Sequence, residues 1–197
     1  MKIAILSAGD TLPRQWRAGM QARYASVIAI NAAANLFPHD WLSCCDTACL
    51  LGLKRARPRV GLYSMATNRD AYRRGTFPWL GDGLRLITWQ DLAPPEREVP
   101  LHLHDYSLPM SLLLARHLGA ETVDVFGHVG KPERALDGRH FAKRGEDRWE
   151  EEAACFAALA AWTGLSVRVV ETPADADYLA MLDAMDEVIE PDATTTP

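Results

Sequence analysis

The stretch that decides the fold is Tyr106–Gly130, YSLPMSLLLARHLGAETVDVFGHVG. Ser107 is of the type that caps a helix, and Pro109 falls in the first turn, where its missing N–H costs nothing. Met110, Leu113, Leu114 and His117 then recur at helical spacing, and Gly119 stands where a left-handed C-cap is wanted. The apolar run Thr122–Gly127 follows at once as a strand. A helix passing into a strand through a Gly-Ala link is the αβ half of a parallel unit.

The same pattern repeats downstream. EDRWEEEAACFAALAAWTG (146–164) puts acidic residues at its start, where the helix dipole favours them, and Gly164 at its end. Its expected inner face is Ala153, Phe156, Ala157 and Ala160, and Leu165–Val170 is the strand that follows. Upstream, Lys2–Leu6, Ser26–Asn31, Trp41–Asp46, Arg59–Ser64 and Leu84–Trp89 are short apolar runs bounded by turn residues, as buried strands are. ADADYLAMLDAMDEVI (174–189) reads as a last helix. Residues 65–83 and 90–105 read as loops or irregular segments long enough to be functional.

Strands alternating with helices predict an α/β fold: a single Rossmann-like domain with a mainly parallel sheet flanked by helices on both faces. The expected boundaries are 1–188 for the domain and 189–197 for a disordered C-terminal tail. A chain of 197 residues with 48% hydrophobic and 24% charged residues fits one soluble core. With no apolar run of membrane-spanning length and no secretion signal, no membrane partner and a cytoplasmic location are expected. The net charge of -5 does not favour the sequence-independent nucleic-acid affinity of a basic domain. Cys44, Cys45, Cys49 and Cys155 include no C-x-x-C pair and read as reduced thiols packed as small hydrophobes.

In an open parallel sheet, ligands bind beyond the carboxyl ends of the strands. That rule selects the stretch Tyr63–Asn68 and also Ser7, Gly9, Asp10 and Thr11, the last four in a turn that either presents backbone N–H groups to phosphate or is only a strand-to-helix connection. Asn31 either reads a base or ribose or caps the Ala32–Ala34 turn. Asp46 either holds a ribose hydroxyl or a metal or caps the helix that starts at Thr47. His102 and His104 alternate as on an edge strand, without a third ligand at convincing spacing, so no metal site is expected. Tyr106 and Ser107 would line an anion-receptive helix start.

Residues 127–149 carry Lys131, Arg134, Arg139, His140, Lys143, Arg144 and Arg148 in a chain that is acidic overall. This is either a solvated loop or a lid that meets phosphate with Arg and Lys and offers His140 as general acid/base.

The succession IAILSAGDTL, YASVIAINAAANLFPHDWLSCCD, YSLPMSLLLARHLGAETVDVFG and RWEEEAACFAALAAWTGLSVRVVE resembles a group of glycosyltransferase-like Rossmann proteins. These are the family 42 bacterial sialyltransferases and the DUF115-type proteins common in phages; an archaeal 6-hydroxymethylpterin diphosphokinase belongs to the same broad set. The resemblance implies that Ala8–Leu12 occupies the place of a G-x-G-P-S-L phosphate loop, with the first glycine and the proline replaced. It matches Asn31 to a nucleotide-facing asparagine and Asp46 to an acidic strand end, and sets Tyr106 and Ser107 at a helix start near the nucleotide. Gly127-His128-Val129 stands where a G-x-D is usual, and His140 falls in the stretch that holds a catalytic histidine, with His128 in reserve.

The implied function is transfer of a sugar from a nucleotide-sugar co-substrate to an acceptor that the sequence does not name. No tightly bound cofactor is implied. His140 would be the base, and Arg139 and Arg144 would neutralise the leaving phosphate. A non-catalytic nucleotide- or sugar-binding protein and a Mg-ATP diphosphokinase-like transferase are the alternatives. The expected partner is a small-molecule nucleotide donor, with homo-oligomerisation left open.

Overall fold

The computed structural model describes residues 1–9, 11–95, 97–99, 106–127 and 146–170. Seven strands form one sheet: β1 (Lys2–Leu6), β2 (Ser26–Ile30), β3 (Trp41–Cys44), β4 (Gly61–Ser64), β5 (Arg85–Thr88), β6 (Thr122–Phe126) and β7 (Ser166–Val169). Their order is β5-β4-β3-β2-β1-β6-β7, and every neighbouring pair is parallel. The expected α/β architecture is therefore present. β1 is an interior strand, fifth in that order, and its Ile3, Ala4, Ile5 and Leu6 are all 0% exposed, as a strand covered on both faces allows.

Two cores follow from the alternation of side chains along each strand. On one face Ile3, Ile5, Ile28, Ile30, Val123 and Val125 meet α5 (Ser107–His117) and α6 (Glu146–Thr163). On the other, Ala4, Leu6, Val27, Ala29 and Leu42 meet α1 (Leu12–Gln15), the 3-10 helix Asn31–Asn35, α2 (Thr47–Gly52) and α3 (Ala66–Arg73). A short α4 (Trp89–Leu92) begins on a capping box in which Asp91 accepts from both the backbone and the hydroxyl of Thr88.

Several expectations are corrected in detail. Residues 65–83 are not an open loop: they hold α3 and the 3-10 turn Pro78–Leu80, and α3 buries Asn68 and Ala71. Ser107 does not cap α5; Tyr106 occupies that position, and Ser107 is the first helical residue. Residues 107–115 are all buried, whereas His117 is exposed, because α5 is enclosed between the sheet, α4 and α6 rather than lying on a wet surface. The inner face of α6 is Cys155, Phe156 and Leu159, and Ala157 is exposed. Gly119 does take the left-handed conformation, with φ +85. Cys44, Cys45 and Cys155 are buried, Cys49 is half-buried, and all four are free thiols. The expected helix 174–189 and the tail 189–197 lie outside the described residues, as do His102 and His104.

A charged knot ties β1, β6 and β7 together. Asp124, in the middle of β6 and 3% exposed, accepts from Lys2 at 2.8 Å, from both sides of the Arg168 guanidinium at 2.9 and 2.7 Å, and from Tyr24 Oη at 2.7 Å. Burial pushes the Asp124 carboxyl up, but the hydrogen bonds from Lys2, Arg168 and Tyr24 outweigh it and hold the group below its ordinary value. Tyr24 is pushed up by burial and by Asp124. On the amino edge, before β3, His39 is 2% exposed, and its Nε2 has no partner among the described residues; burial holds its ring below the usual histidine range.

Both shifts make acid destabilising, in separate windows. His39 favours folding above an unfolded value of about 6.5, and that contribution is lost as the pH falls below it. Asp124 favours folding above about 3.9, and its contribution is lost as the pH falls through its lower folded value. Asp124→Asn removes the second slope and costs about 2–3 kcal/mol at neutral pH, because Lys2 and Arg168 lose their buried carboxylate. Urea unfolding of both proteins across pH 3–8 measures the two windows.

Candidate functional site

The chain order reverses at β1, whose two neighbours β2 and β6 belong to opposite directions of winding. Ligands of such folds bind at that point, beyond the carboxyl ends of the strands. Ser7 leaves β1 there with its backbone N–H donating to the Phe126 carbonyl at 2.8 Å. Gly127 leaves β6 beside it with φ +94, and a Cβ on Gly127 would stand 2.7 Å from the Ser7 carbonyl oxygen. Only glycine fits so close a backbone approach at that φ.

Gln15, 1% exposed, locks this region. Its Oε1 accepts from the Gly127 N–H at 2.6 Å, and its Nε2 donates to the Val170 carbonyl at 2.8 Å. One amide therefore satisfies the ends of both β6 and β7. Sequence reasoning missed Gln15, since a lone glutamine in a four-residue helix carries no pattern.

The remaining turn residues are placed as follows. Gly9 is buried and its carbonyl accepts from the Leu12 N–H at 3.2 Å. Thr11 precedes α1, and its hydroxyl is buried without a hydrogen-bond partner. Asp10 lies outside the described residues.

A second group forms where β2 and β3 end beneath the start of α5. Asn31 has φ +48, the one positive φ at a non-glycine among the described residues. Asparagine tolerates that region better than most side chains. Its Oδ1 lies 3.4 Å from Ser107 Oγ, which also accepts from the Cys45 N–H at 3.2 Å and contacts Cys45 Sγ at 3.3 Å. Ser111 Oγ is 2.8 Å from the Ser107 carbonyl and 2.9 Å from Ser43 Oγ. The start of α5 is thus stitched to β3 by hydroxyls. Asn31 and Ser107, 76 residues apart, are brought together. The Asn31 Nδ2 has no partner among the described residues.

Asp46 sits at the same edge, exposed, and caps α2 through Oδ1, which accepts from Ala48 N–H at 2.7 Å and Cys49 N–H at 3.3 Å. Of its two readings, the helix cap is the one the structure uses. Behind it Asn68 is fully buried and bonds Ser64 Oγ, the Cys45 carbonyl and Thr47 Oγ1, so it holds α3 and α2 to the ends of β3 and β4.

Tyr106 is buried, donates to Glu151 Oε2 at 2.6 Å, and lies under the Arg148 guanidinium at 5.6 Å. Burial and Glu151 push its phenol up. This pairs the approach to α5 with the first turns of α6. The segment 128–145, which includes Arg139, His140 and Arg144, is outside the described residues. Its two anchors, Gly127 at the end of β6 and the start of α6 beside Tyr106, both belong to the carboxyl edge.

Among the described residues no three His, Cys, Asp or Glu side chains gather as a metal site. No helix there is long and apolar enough to cross a membrane. What this edge offers is hydrogen-bond recognition: an amide and hydroxyls on rigid supports. Comparison with family models, curated proteins and solved structures finds no match to this chain.

Three substitutions separate backbone strain from recognition. Gly127→Ala forces Ser7 to shift and lowers the urea midpoint, at a cost of about 2 kcal/mol or more. Asn31→Ala costs about 1 kcal/mol from its left-handed backbone, whereas Asn31→Gly is close to neutral. Equilibrium unfolding of the three variants beside the parent checks this order.

Proposed function

We propose that this chain binds a nucleotide-sugar at the carboxyl edge of β1–β3 and transfers the sugar to an acceptor hydroxyl or equivalent nucleophile. The observation that carries the binding half is Asn31. Its backbone is held in the left-handed region, and its amide is oriented by Ser107, beside the point where the winding reverses. A rigid amide donor at a strand end suits the polar edge of a base or the hydroxyls of a ribose.

The transfer half rests on the resemblance to glycosyltransferase-like proteins and on the basic composition of 131–148. In this reading the acceptor oxygen attacks the anomeric carbon as the bond from that carbon to the donor phosphate oxygen breaks. His140 takes the acceptor proton, and Arg139 and Arg144 neutralise the charge that develops on the departing phosphate. The two described ends of that stretch, Gly127 and the start of α6, lie on the carboxyl edge, which supports this reading.

One observation favours the non-catalytic reading: the Ser7 N–H is committed to Phe126, so the β1 turn has one donor fewer for phosphate. Turnover separates the two readings. A thermal-shift screen against UDP, CMP, GDP and ATP, with and without Mg²⁺ and with the corresponding nucleotide-sugars, names the donor. A ligand at 100 times its Kd adds about 2.7 kcal/mol of stability. Asn31→Gly should abolish the shift while leaving the unliganded midpoint unchanged. His140→Ala should keep the shift and lose donor consumption by about 100-fold or more. Undiminished consumption by His140→Ala removes His140 from its role, and no shift with any nucleotide overturns the proposal.

A further inference from the structure

The net charge of -5 conceals a segregation along the chain. Residues 1–88 carry twelve Lys and Arg against five Asp and no Glu. Residues 171–197 carry eight Asp and Glu and no Lys, Arg or His. Four of these twelve cations lie together at the edge of the sheet opposite the candidate site.

The connection from α2 to β4 holds Lys54, Arg55, Arg57 and Arg59, all exposed, at the amino ends of β3 and β4. It is a rigid platform rather than a free loop. The Arg55 N–H donates to Asn35 Oδ1 at 3.0 Å, the Arg57 guanidinium bonds the Lys54 and Ala56 carbonyls, and the Arg59 N–H donates to the His39 carbonyl. Arg59 pairs with Asp40 at 2.7 Å, while Lys54 and Arg55 have no acidic partner among the described residues.

Aliphatic side chains stand in the same place. Among the described residues five large hydrophobics are exposed, and three of them, Leu36 (53%), Leu51 (44%) and Val60 (42%), flank this platform. Leu36 follows Asn35, Leu51 is in the last turn of α2, and Val60 precedes β4. A phosphodiester backbone would use the cations and leave the aliphatic groups wet. An acidic amphipathic helix would use both.

The chain contains one such segment. In 174–189, Tyr178, Leu182, Met185 and Ile189 recur at i, i+4, i+7 and i+11, and Asp175, Asp183, Asp186 and Glu187 fall between or beside them. The segment begins four residues after Val170 at the carboxyl end of β7, and four residues span at most about 14 Å. β7 and β3 are four places apart in the sheet, about 19 Å, and the platform is a further strand length of about 13 Å away at the other edge. A segment cannot start on the platform of its own chain.

We infer that the basic, aliphatic amino edge around Lys54, Arg55, Leu36, Leu51 and Val60 receives the acidic segment 174–189 of a second copy. Reciprocal exchange gives a two-fold dimer with two equal contacts. The platform is remote from the carboxyl edge, so the dimer leaves both candidate nucleotide sites open. This inference does not depend on what those sites bind.

Sedimentation of the full chain tests it. The parent should dimerise in a concentration-dependent way that weakens as salt rises from 50 mM to 500 mM, since the pairing charges are exposed. K54E/R55E and, separately, L182D/M185D should each weaken self-association by about tenfold or more. Lys54 and Arg55 are exposed, so an unchanged unfolding midpoint shows that K54E/R55E is folded. An equimolar mixture of the two variants should regain a heterodimer, because one partner keeps an intact platform and the other an intact segment. A parent that stays monomeric at 100 μM, or a dimer indifferent to both variants, overturns the inference. So does a monomer whose Lys54 and Arg55 instead bind a 20-nucleotide DNA or anionic phosphatidylserine vesicles.

Discussion

The side-chain amide of Gln15 is the constraint on which the carboxyl edge depends. Parallel strands leave their last carbonyls and the following N–H groups without ladder partners, and a buried amide or carbonyl left unpaired costs as much as a lost hydrogen bond. β6 and β7 end inside the protein, and Gln15 completes both, accepting from Gly127 and donating to Val170. The approach of Gly127 to Ser7 follows, since neither segment can move outward without breaking that amide bridge or the Ser7–Phe126 bond. The place where the winding reverses is therefore shaped by backbone contact, with no side chain on Gly127 to fill it.

A second constraint is charge. Asp124 collects Lys2, Arg168 and Tyr24, so β1, β6 and β7 are joined by one carboxylate. Such a group is costly to bury alone and is held here by several charge-assisted bonds. At the amino edge, Arg59 of the α2–β4 connection pairs with Asp40, whereas Lys54 and Arg55 have no acidic partner among the described residues.

Helix α5 links fold to site. It is enclosed on nearly every side, and its first turn is joined to β3 through Ser43, Ser107 and Ser111 rather than through a side-chain cap. That stitching orients Ser107 toward Asn31 and Cys45. The left-handed Asn31 ends β2 beneath it, so a strained backbone and a rigid hydroxyl meet at the carboxyl edge. Strain maintained by its surroundings is a common mark of recognition sites.

The order of apolar runs determined the strands, their parallel pairing and the two-faced cover, because period and turn residues are local properties of a chain. KIAIL and TVDVF could be read as buried strands without knowing that they are neighbours. Gly119 was legible for the same reason, as a left-handed helix end has a local signature. The errors arose where packing outranks pattern. His117 fits the helical spacing yet is exposed, and Ala157 does the same on α6. Of the site, Asn31, Asp46 and Ser107 could be picked out as strand-end and helix-start residues, but not their roles. Asp46 turned out to be committed to capping α2, and Ser107 to bridging Asn31 and Cys45. Asn68 was marked only by its place beyond the end of a strand, and Gln15 and Asp124 had no sequence signal at all. Each acts through partners far along the chain, and which buried polar groups need a partner is decided only when strand ends and helix starts meet in three dimensions.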